Sequence, residues 1–368
     1  TIVNETGYPI ELEGDYSLLK KSTEKKQKLI ENKLYRINNG ESLQYLIESD
    51  VDQLFTKQDI TYNTNQIRVR ILHPRFDLGF VDRIDIDRPK ITGYRLDGRD
   101  KDGKVMDVGT LELFSDVQII HGKKFITLTS AIKITNRLMI PCIITLDNQD
   151  HQQTINLNLQ ETRSIPFDYV KGSLVIKTEG SEMTSSKYFM HEFMGQPLNE
   201  KEVQCGTNYF IIKSKKDQDS QYFNISIEAP FSVMNCLPLD LRFILYTDQA
   251  VNPQTRMLKP QETYQETKLS KNQNLYIKVE IQGFEWSEPF LIYSKNANNP
   301  IATEVRLKDP QGRKLYLPIF AKVNEKGCKE FYIYAKTVII NETPYELSYY
   351  YADLNDKSFK REIAGQKP

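Results

Sequence analysis

Ile2-Val3-Asn4-Glu5-Thr6-Gly7-Tyr8-Pro9-Ile10-Glu11-Leu12 is written almost a second time as Ile339-Ile340-Asn341-Glu342-Thr343-Pro344-Tyr345-Glu346-Leu347. Two further stretches fit the same frame, Ile132–Leu146 (IKITNRLMIPCIITL) and Phe231–Leu245 (FSVMNCLPLDLRFIL). Aligned on Asn4, Asn136, Asn235 and Asn341, the position two before the asparagine holds Ile2, Ile134, Val233 and Ile339. Six after it stand Ile10, Cys142, Leu241 and Leu347, and eight after it Leu12, Ile144, Phe243 and Tyr349. A period of two with one apolar face is the pattern of a half-buried strand. The asparagine falls on the apolar face, so it is expected to be buried and to need hydrogen-bond partners there.

The repetition extends outward from this phrase. Strand-like lead-ins begin at Phe125, Phe223 and Phe331, just before the second, third and fourth asparagines. A second echo lies mid-repeat, at Gly40-Glu41-Ser42, Gln160-Glu161-Thr162 and Gln261-Glu262-Thr263. The asparagines are spaced by 132, 99 and 106 residues. Such a period defines the architecture, and about one hundred residues is the size of a β-sandwich. The expected fold is all-β, with tandem β-sandwich repeats in a row at 1–130, 131–229 and 230–335 and the start of a fourth at 336–368. The first repeat carries a polar insert, Asp97-Gly98-Arg99-Asp100-Lys101-Asp102-Gly103-Lys104. A structural clamp holding the lead-in strand to the next repeat is the plain reading of each asparagine, and partner binding is the functional one. The sequence begins at Thr1 without Met and ends inside a repeat, so it is expected to be part of a longer chain.

Composition narrows the function classes. Forty-nine Lys and Arg balance 49 Asp and Glu, which argues against a dedicated nucleic-acid binder. No stretch approaches the ~18 apolar residues of a spanning helix. Asn4-Glu5-Thr6 and Asn341-Glu342-Thr343 fit a glycosylation acceptor, but the sequences after Asn136 and Asn235 do not, so the recurring feature is the asparagine itself. Cys142, Cys205, Cys236 and Cys328 form no CxxC pair and do not recur with the repeat, which favours reduced thiols over a disulfide framework or zinc site.

Catalytic patterns are absent. His73, His121, His151 and His191 are scattered and read as surface or turn residues. Gly122-Lys123-Lys124 reads as a hairpin turn. An EF-hand frame on the polar insert would begin at Gly98 and end at Gly109, where carboxylates are required. No enzyme activity, cofactor or metal is expected. Lys20, Lys21, Lys25, Lys26 and Lys28 lie in a locally basic stretch. A solvated loop is its ordinary reading, and contact with an anionic membrane its functional one.

The asparagine-marked repeat, with its lead-ins and mid-repeat Glu, resembles the adaptor-binding domain of the vacuolar-protein-sorting-thirteen proteins. Trp286-Ser287 is similar to an aromatic-Ser element late in that family's repeats. The resemblance implies six β-sandwich repeats, each with an asparagine at this place, in very long bridge-like lipid-transfer proteins at membrane contact sites. It implies a non-enzymatic module that binds organelle-specific adaptors through Pro-X-Pro peptides, and a cytoplasmic, peripheral location. This chain would be the front part of that domain, with the principal peptide groove in later repeats. Two rivals are an extracellular adhesion protein of immunoglobulin-like sandwiches, with glycans at Asn4, Asn224 or Asn341 and disulfides, and a carbohydrate- or calcium-binding β-protein.

Overall fold

The computed structural model describes residues 1–14, 34–44, 66–74, 76–86, 88–96, 98–100, 112–148, 151–178, 182–194, 198–216, 223–248, 253–295, 303–323, 329–350 and 360–363. The lysines of the basic stretch, Asp97, the insert from 101 onward and Cys328 lie outside the described residues. Strands dominate, as alternating β-branched and aromatic residues dictate.

Among the described residues eleven strands come first: β1 (Ile2–Glu5), β2 (Ile10–Gly14), β3 (Leu34–Ile37), β4 (Ser42–Leu43), β5 (Gln66–Ile71), β6 (Phe76–Leu78), β7 (Val81–Asp85), β8 (Ile91–Arg95), β9 (Gly98–Asp100), β10 (Glu112–Ile120) and β11 (Lys123–Thr129). They form one sheet ordered β4-β1-β11-β10-β8 and another ordered β3-β2-β5-β7, with β6-β9 as a small ribbon. The next nine are β12 (Ile132–Asn136), β13 (Cys142–Asp147), β14 (Gln152–Leu157), β15 (Thr162–Ser164), β16 (Ser173–Thr178), β17 (Tyr188–Phe189), β18 (Leu198–Cys205), β19 (Asn208–Lys216) and β20 (Phe223–Glu228). Their sheets run β15-β12-β20-β19-β18 and β14-β13-β16-β17. The third set is β21 (Phe231–Asn235), β22 (Leu241–Thr247), β23 (Thr255–Leu258), β24 (Thr263–Glu266), β25 (Leu275–Ile281), β26 (Phe290–Tyr293), β27 (Thr303–Lys308), β28 (Lys314–Val323) and β29 (Lys329–Ile333). It gives β24-β21-β29-β28-β27 and β23-β22-β25-β26. After the fourth asparagine come β30 (Leu347–Tyr350) and β31 (Lys360–Ile363), paired antiparallel.

The same nine-strand plan is thus used three times, and the core of each copy lies between its two sheets. In the second copy Ile134, Cys142, Ile144, Ile176, Ile212 and Ile227 share one fully buried cluster. In the first, Ile2, Ile10, Leu12, Val69, Leu113 and Leu128 do the same. Each such side chain contributes roughly 1.5–3 kcal/mol. By contact density the chain divides into two units. Unit 1 is 1–231 with Gln265–Ser270 and Glu325–Cys328; unit 2 holds Ser232–Tyr264, Lys271–Asn324 and 329–368.

One expectation changes. The asparagine phrase is not one strand but two, β1 and β2, in different sheets. The apolar parity persists because Ile2 from one sheet and Ile10 and Leu12 from the other all point into the same core. The lead-in strand lies at the end of the preceding sandwich. β11 runs parallel to β1, with Asn4 opposite Leu128, and β20 runs parallel to β12, with Asn136 opposite Ile227. The turn at Gly122 is confirmed as a tight hairpin, with positive φ at both His121 (49°) and Gly122 (75°), the type I′ geometry that suits strand twist.

Candidate functional site: the asparagine corners

Asn4, Asn136 and Asn235 stand where the chain leaves one sheet for the other, and Asn341 lies in the loop before β30. Asn4, Asn136 and Asn235 are fully buried and Asn341 is 5% exposed. The side-chain amide uses both ends. Nδ2 donates to the carbonyl four residues on: Tyr8 at 2.8 Å, Ile140 at 2.9 Å, Leu239 at 2.8 Å and Tyr345 at 2.7 Å. The same Nδ2 donates across the corner to Ile37 O at 2.9 Å, to Asn158 O at 3.1 Å and Leu157 O at 3.2 Å, and to Leu258 O at 3.0 Å. Oδ1 accepts from the N–H two residues on, of Thr6, Leu138, Leu237 and Thr343, at 3.0–3.1 Å. The amide therefore satisfies backbone groups that a sheet-to-sheet loop would otherwise bury unpaired. It ties the loop to the third strand of its own sandwich. That differs from the expected tie to the lead-in strand, because the lead-in strand is already held by ladder bonds.

The mid-repeat echo completes the corner. Backbone N–H groups of Asn4, Asn136 and Asn235 donate to the carbonyls of Glu41, Glu161 and Glu262 at 2.9–3.0 Å. Each Glu closes a four-residue turn. Its N–H reaches the carbonyl of Asn38, Asn158 or Lys259, and its carboxylate accepts from that residue's N–H at 3.1, 2.8 and 2.8 Å. The third turn residue has positive φ: Gly40 80°, Gln160 58° and Gln261 63°, as a type II turn requires. The N–H of Asn158, followed by Arg163, holds the Glu161 carboxyl below its ordinary value.

What stands two residues after the asparagine varies. Thr6 and Thr343 donate their hydroxyls to the asparagine Oδ1 at 2.8 and 2.7 Å. Leu138 and Leu237 fill the same place with buried apolar side chains. A glycan on Asn4 is excluded by this geometry, since its nitrogen is inside the core and fully bonded.

The remaining sequence candidates separate from these corners. Asn4 and Asn136 belong to unit 1, Asn235 and Asn341 to unit 2. Cys142, Cys205 and Cys236 are free thiols. Burial pushes the Cys142 thiol up to about 12, which makes it unreactive. Among the described residues no three His, Cys, Asp or Glu are grouped to hold a metal. No helix among them is long and apolar enough to cross a membrane.

One cluster escaped sequence reasoning. His73, expected at the surface, has a side chain only 1% exposed and bonds Asp168 at 2.7 Å. Tyr8 donates to the other Asp168 oxygen at 2.6 Å. The His73 Nδ1 accepts from Phe76 N–H at 3.2 Å, which places the proton toward Asp168. Both ring nitrogens are engaged, so the pair fixes the join between the first two sandwiches and is not poised as a general base. Beside it, a cavity of about 370 Å³ is lined by Arg70 to Pro74, Phe76 and Asp77. Gly7 belongs to the same join. Its φ is +94°, and a Cβ there would lie 2.4 Å from Pro166. Tyr8 and Asp168 are 160 residues apart, so no local signal could pair them. A second omission is Ser185. Buried Ser287, after Trp286, accepts from Val279 N–H at 3.0 Å. Ser185 makes the same bond to Ile176 N–H at 2.9 Å, but follows Thr184 and lacks the aromatic cue.

Comparison with known families places this geometry. The model of the family described as vacuolar-sorting associated protein 13, adaptor binding domain, matches residues 64–366. No curated protein matches the chain.

Proposed function

Since the chain belongs to the adaptor-binding domain family of vacuolar-sorting associated protein 13 and is a protein-interaction module of that kind, we propose that it directs a bridge-like lipid-transfer protein to organelle membranes and contact sites. It does so by binding adaptor proteins that display Pro-X-Pro peptides. The match over residues 64–366 carries the reading, and the thrice-used sandwich plan supports it by offering rigid sheet faces and edges to extended peptides. The module works by surface complementarity at the cytoplasmic side of membranes, without chemistry of its own, and the remainder of the lipid-transfer protein is its covalent partner. The four corner asparagines serve as internal clamps that keep those faces in shape, and the repeat bounds 1–130, 131–229, 230–335 and 336–368 are its working division.

The test is a titration of labelled Pro-X-Pro peptides, with Pro→Ala controls, into the 368-residue chain. Saturable binding that the Pro→Ala change weakens at least tenfold is expected. Equal binding of both peptides, or none to a folded chain, would refute peptide recognition by these repeats.

A further inference from the structure

The outer faces of the four-stranded sheets differ between sandwiches. In the first, the face of β2 and β5 is laced with ion pairs. Arg70 meets Glu11 at 2.5 Å, and Arg68 meets Glu13 at 2.6 Å and Asp82 at 2.5 Å. Phe80 lies under both guanidinium groups, at 4.9 and 5.1 Å. Every charge there has a partner.

The corresponding face of β22 and β25, wholly inside unit 2, is aromatic. Tyr246 and Tyr276 are cross-strand neighbours with ring centroids 5.6 Å apart and planes at 21°. Ile244 stands in the next row opposite Lys278, and Arg242 in the row after that, between Met257 and Glu280. Met257 is 59% exposed. Trp286, the chain's one tryptophan, is half-buried, with the Arg242 guanidinium 5.5 Å from its ring centre. Trp, Tyr, Met and Arg are the residue types enriched at binding hot spots.

Charge says what fits. Glu280 is held by Arg242 at 2.5 Å. Asp248 lies 3.4 Å from Asn274 Nδ2 and takes a hydrogen bond from Tyr276. Lys278, in the middle row, has no carboxylate partner among the described residues. Among the described residues the face therefore offers apolar and aromatic surface around Lys278, its one cation without a carboxylate partner, with the Asp248 carboxylate held at the far end by Asn274 and Tyr276.

We propose that the β22–β25 face is a docking site for an extended acidic peptide segment of a partner protein, its carboxylate paired with Lys278 and its apolar residues laid on Tyr246, Tyr276 and Trp286. This rests on the interaction-module reading above and adds a second surface to it, distinct in the charge it selects.

Trp286 makes the test site-specific, because it alone supplies indole fluorescence. A random twelve-residue peptide-display library is selected against the whole chain, and the winners are titrated while indole emission is followed. Winners enriched in Asp and Glu, which change Trp286 emission and lose at least tenfold in affinity to the folded Lys278→Glu and Tyr276→Ala variants, are the expected result. Lys278→Glu should also reverse the preference toward Lys-bearing peptides. Winners without acidic enrichment, winners that leave Trp286 emission unchanged, or no winners at all would each overturn the proposal. Pro-X-Pro peptides that bind without moving Trp286 would leave the adaptor reading standing and remove this face from it.

Discussion

The corners at Asn136 and Asn4 solve one problem with different second residues. At Asn136 the place two residues on is taken by Leu138, fully buried in the second core. At Asn4 it is taken by Thr6, equally buried, whose hydroxyl bonds the asparagine oxygen. The amide is constant because its bonds to the carbonyl four residues on, to the third strand and to the N–H two residues on all go to backbone groups, whose positions any corner of this shape must have. The neighbour is free to vary because it answers only to the space beside it. A repeated residue whose partners are main chain is therefore architecture before it is recognition.

That contrast can be broken at the asparagine or at its neighbour. The largest effect is expected from Asn136→Leu, which fills the space but strands Ile140 O and Leu138 N–H in the core. Chemical denaturation should show a loss of about 3 kcal/mol in the second sandwich. A loss below about 1 kcal/mol would mean the amide is dispensable. Next comes Leu138→Thr, which rewrites the second corner as the first. It removes buried apolar surface but gives the new hydroxyl the Asn136 oxygen as partner, and should cost about 2 kcal/mol. Thr6→Val does the reverse at nearly constant volume. It removes the hydroxyl's bonds to Asn4 Oδ1 and to the Tyr8 backbone while Asn4 Oδ1 keeps the Thr6 N–H, and should cost about 1 kcal/mol. A Thr6→Val cost as large as that of Asn136→Leu would show that the threonine, too, is a fixed part of the corner.

The smallest effect is in pH. Glu161 is held below the usual glutamate value of 4.5 in the folded chain, first by the N–H of Asn158 and then by Arg163. A depressed carboxylate stabilises the fold above its unfolded value, and that contribution fades as pH falls through the folded value. The stability gap between the native chain and Glu161→Gln should be present at pH 7 and shrink progressively below pH 4.5. A gap unchanged at pH 3 would assign the turn's stability to backbone geometry alone.

The strand faces were legible in the sequence because Ile2, Ile10 and Leu12, and their counterparts in the second and third copies, keep one parity. The change of sheet between β1 and β2 was not legible for the same reason. Both sheets face one core, so the alternation runs on through the corner without a break. The asparagine itself could be read as buried and bonded, since it interrupts an apolar face, but its bond to Ile37 lies 33 residues away and has no local trace. His73 and Asp168 were invisible as a pair because 95 residues separate them. The aromatic face of β22 and β25 was hidden differently. Tyr246 and Tyr276 each look like an ordinary strand residue, and only the register of the sheet sets them side by side.

The parallel pairing of β1 with β11 bears on mechanics. The chain comes into the first sandwich at Ile2 and leaves it at Thr129, which sits opposite Glu5, at the other end of the same ladder. Tension along the backbone pulls these two strands in opposite directions along their common axis. The ladder is then loaded in shear, with its bonds sharing the force together, instead of being peeled open one bond at a time. Forced unfolding is governed by the barrier on that path. A sandwich closed in this way would withstand a pull along the chain better than one whose terminal strands unzip.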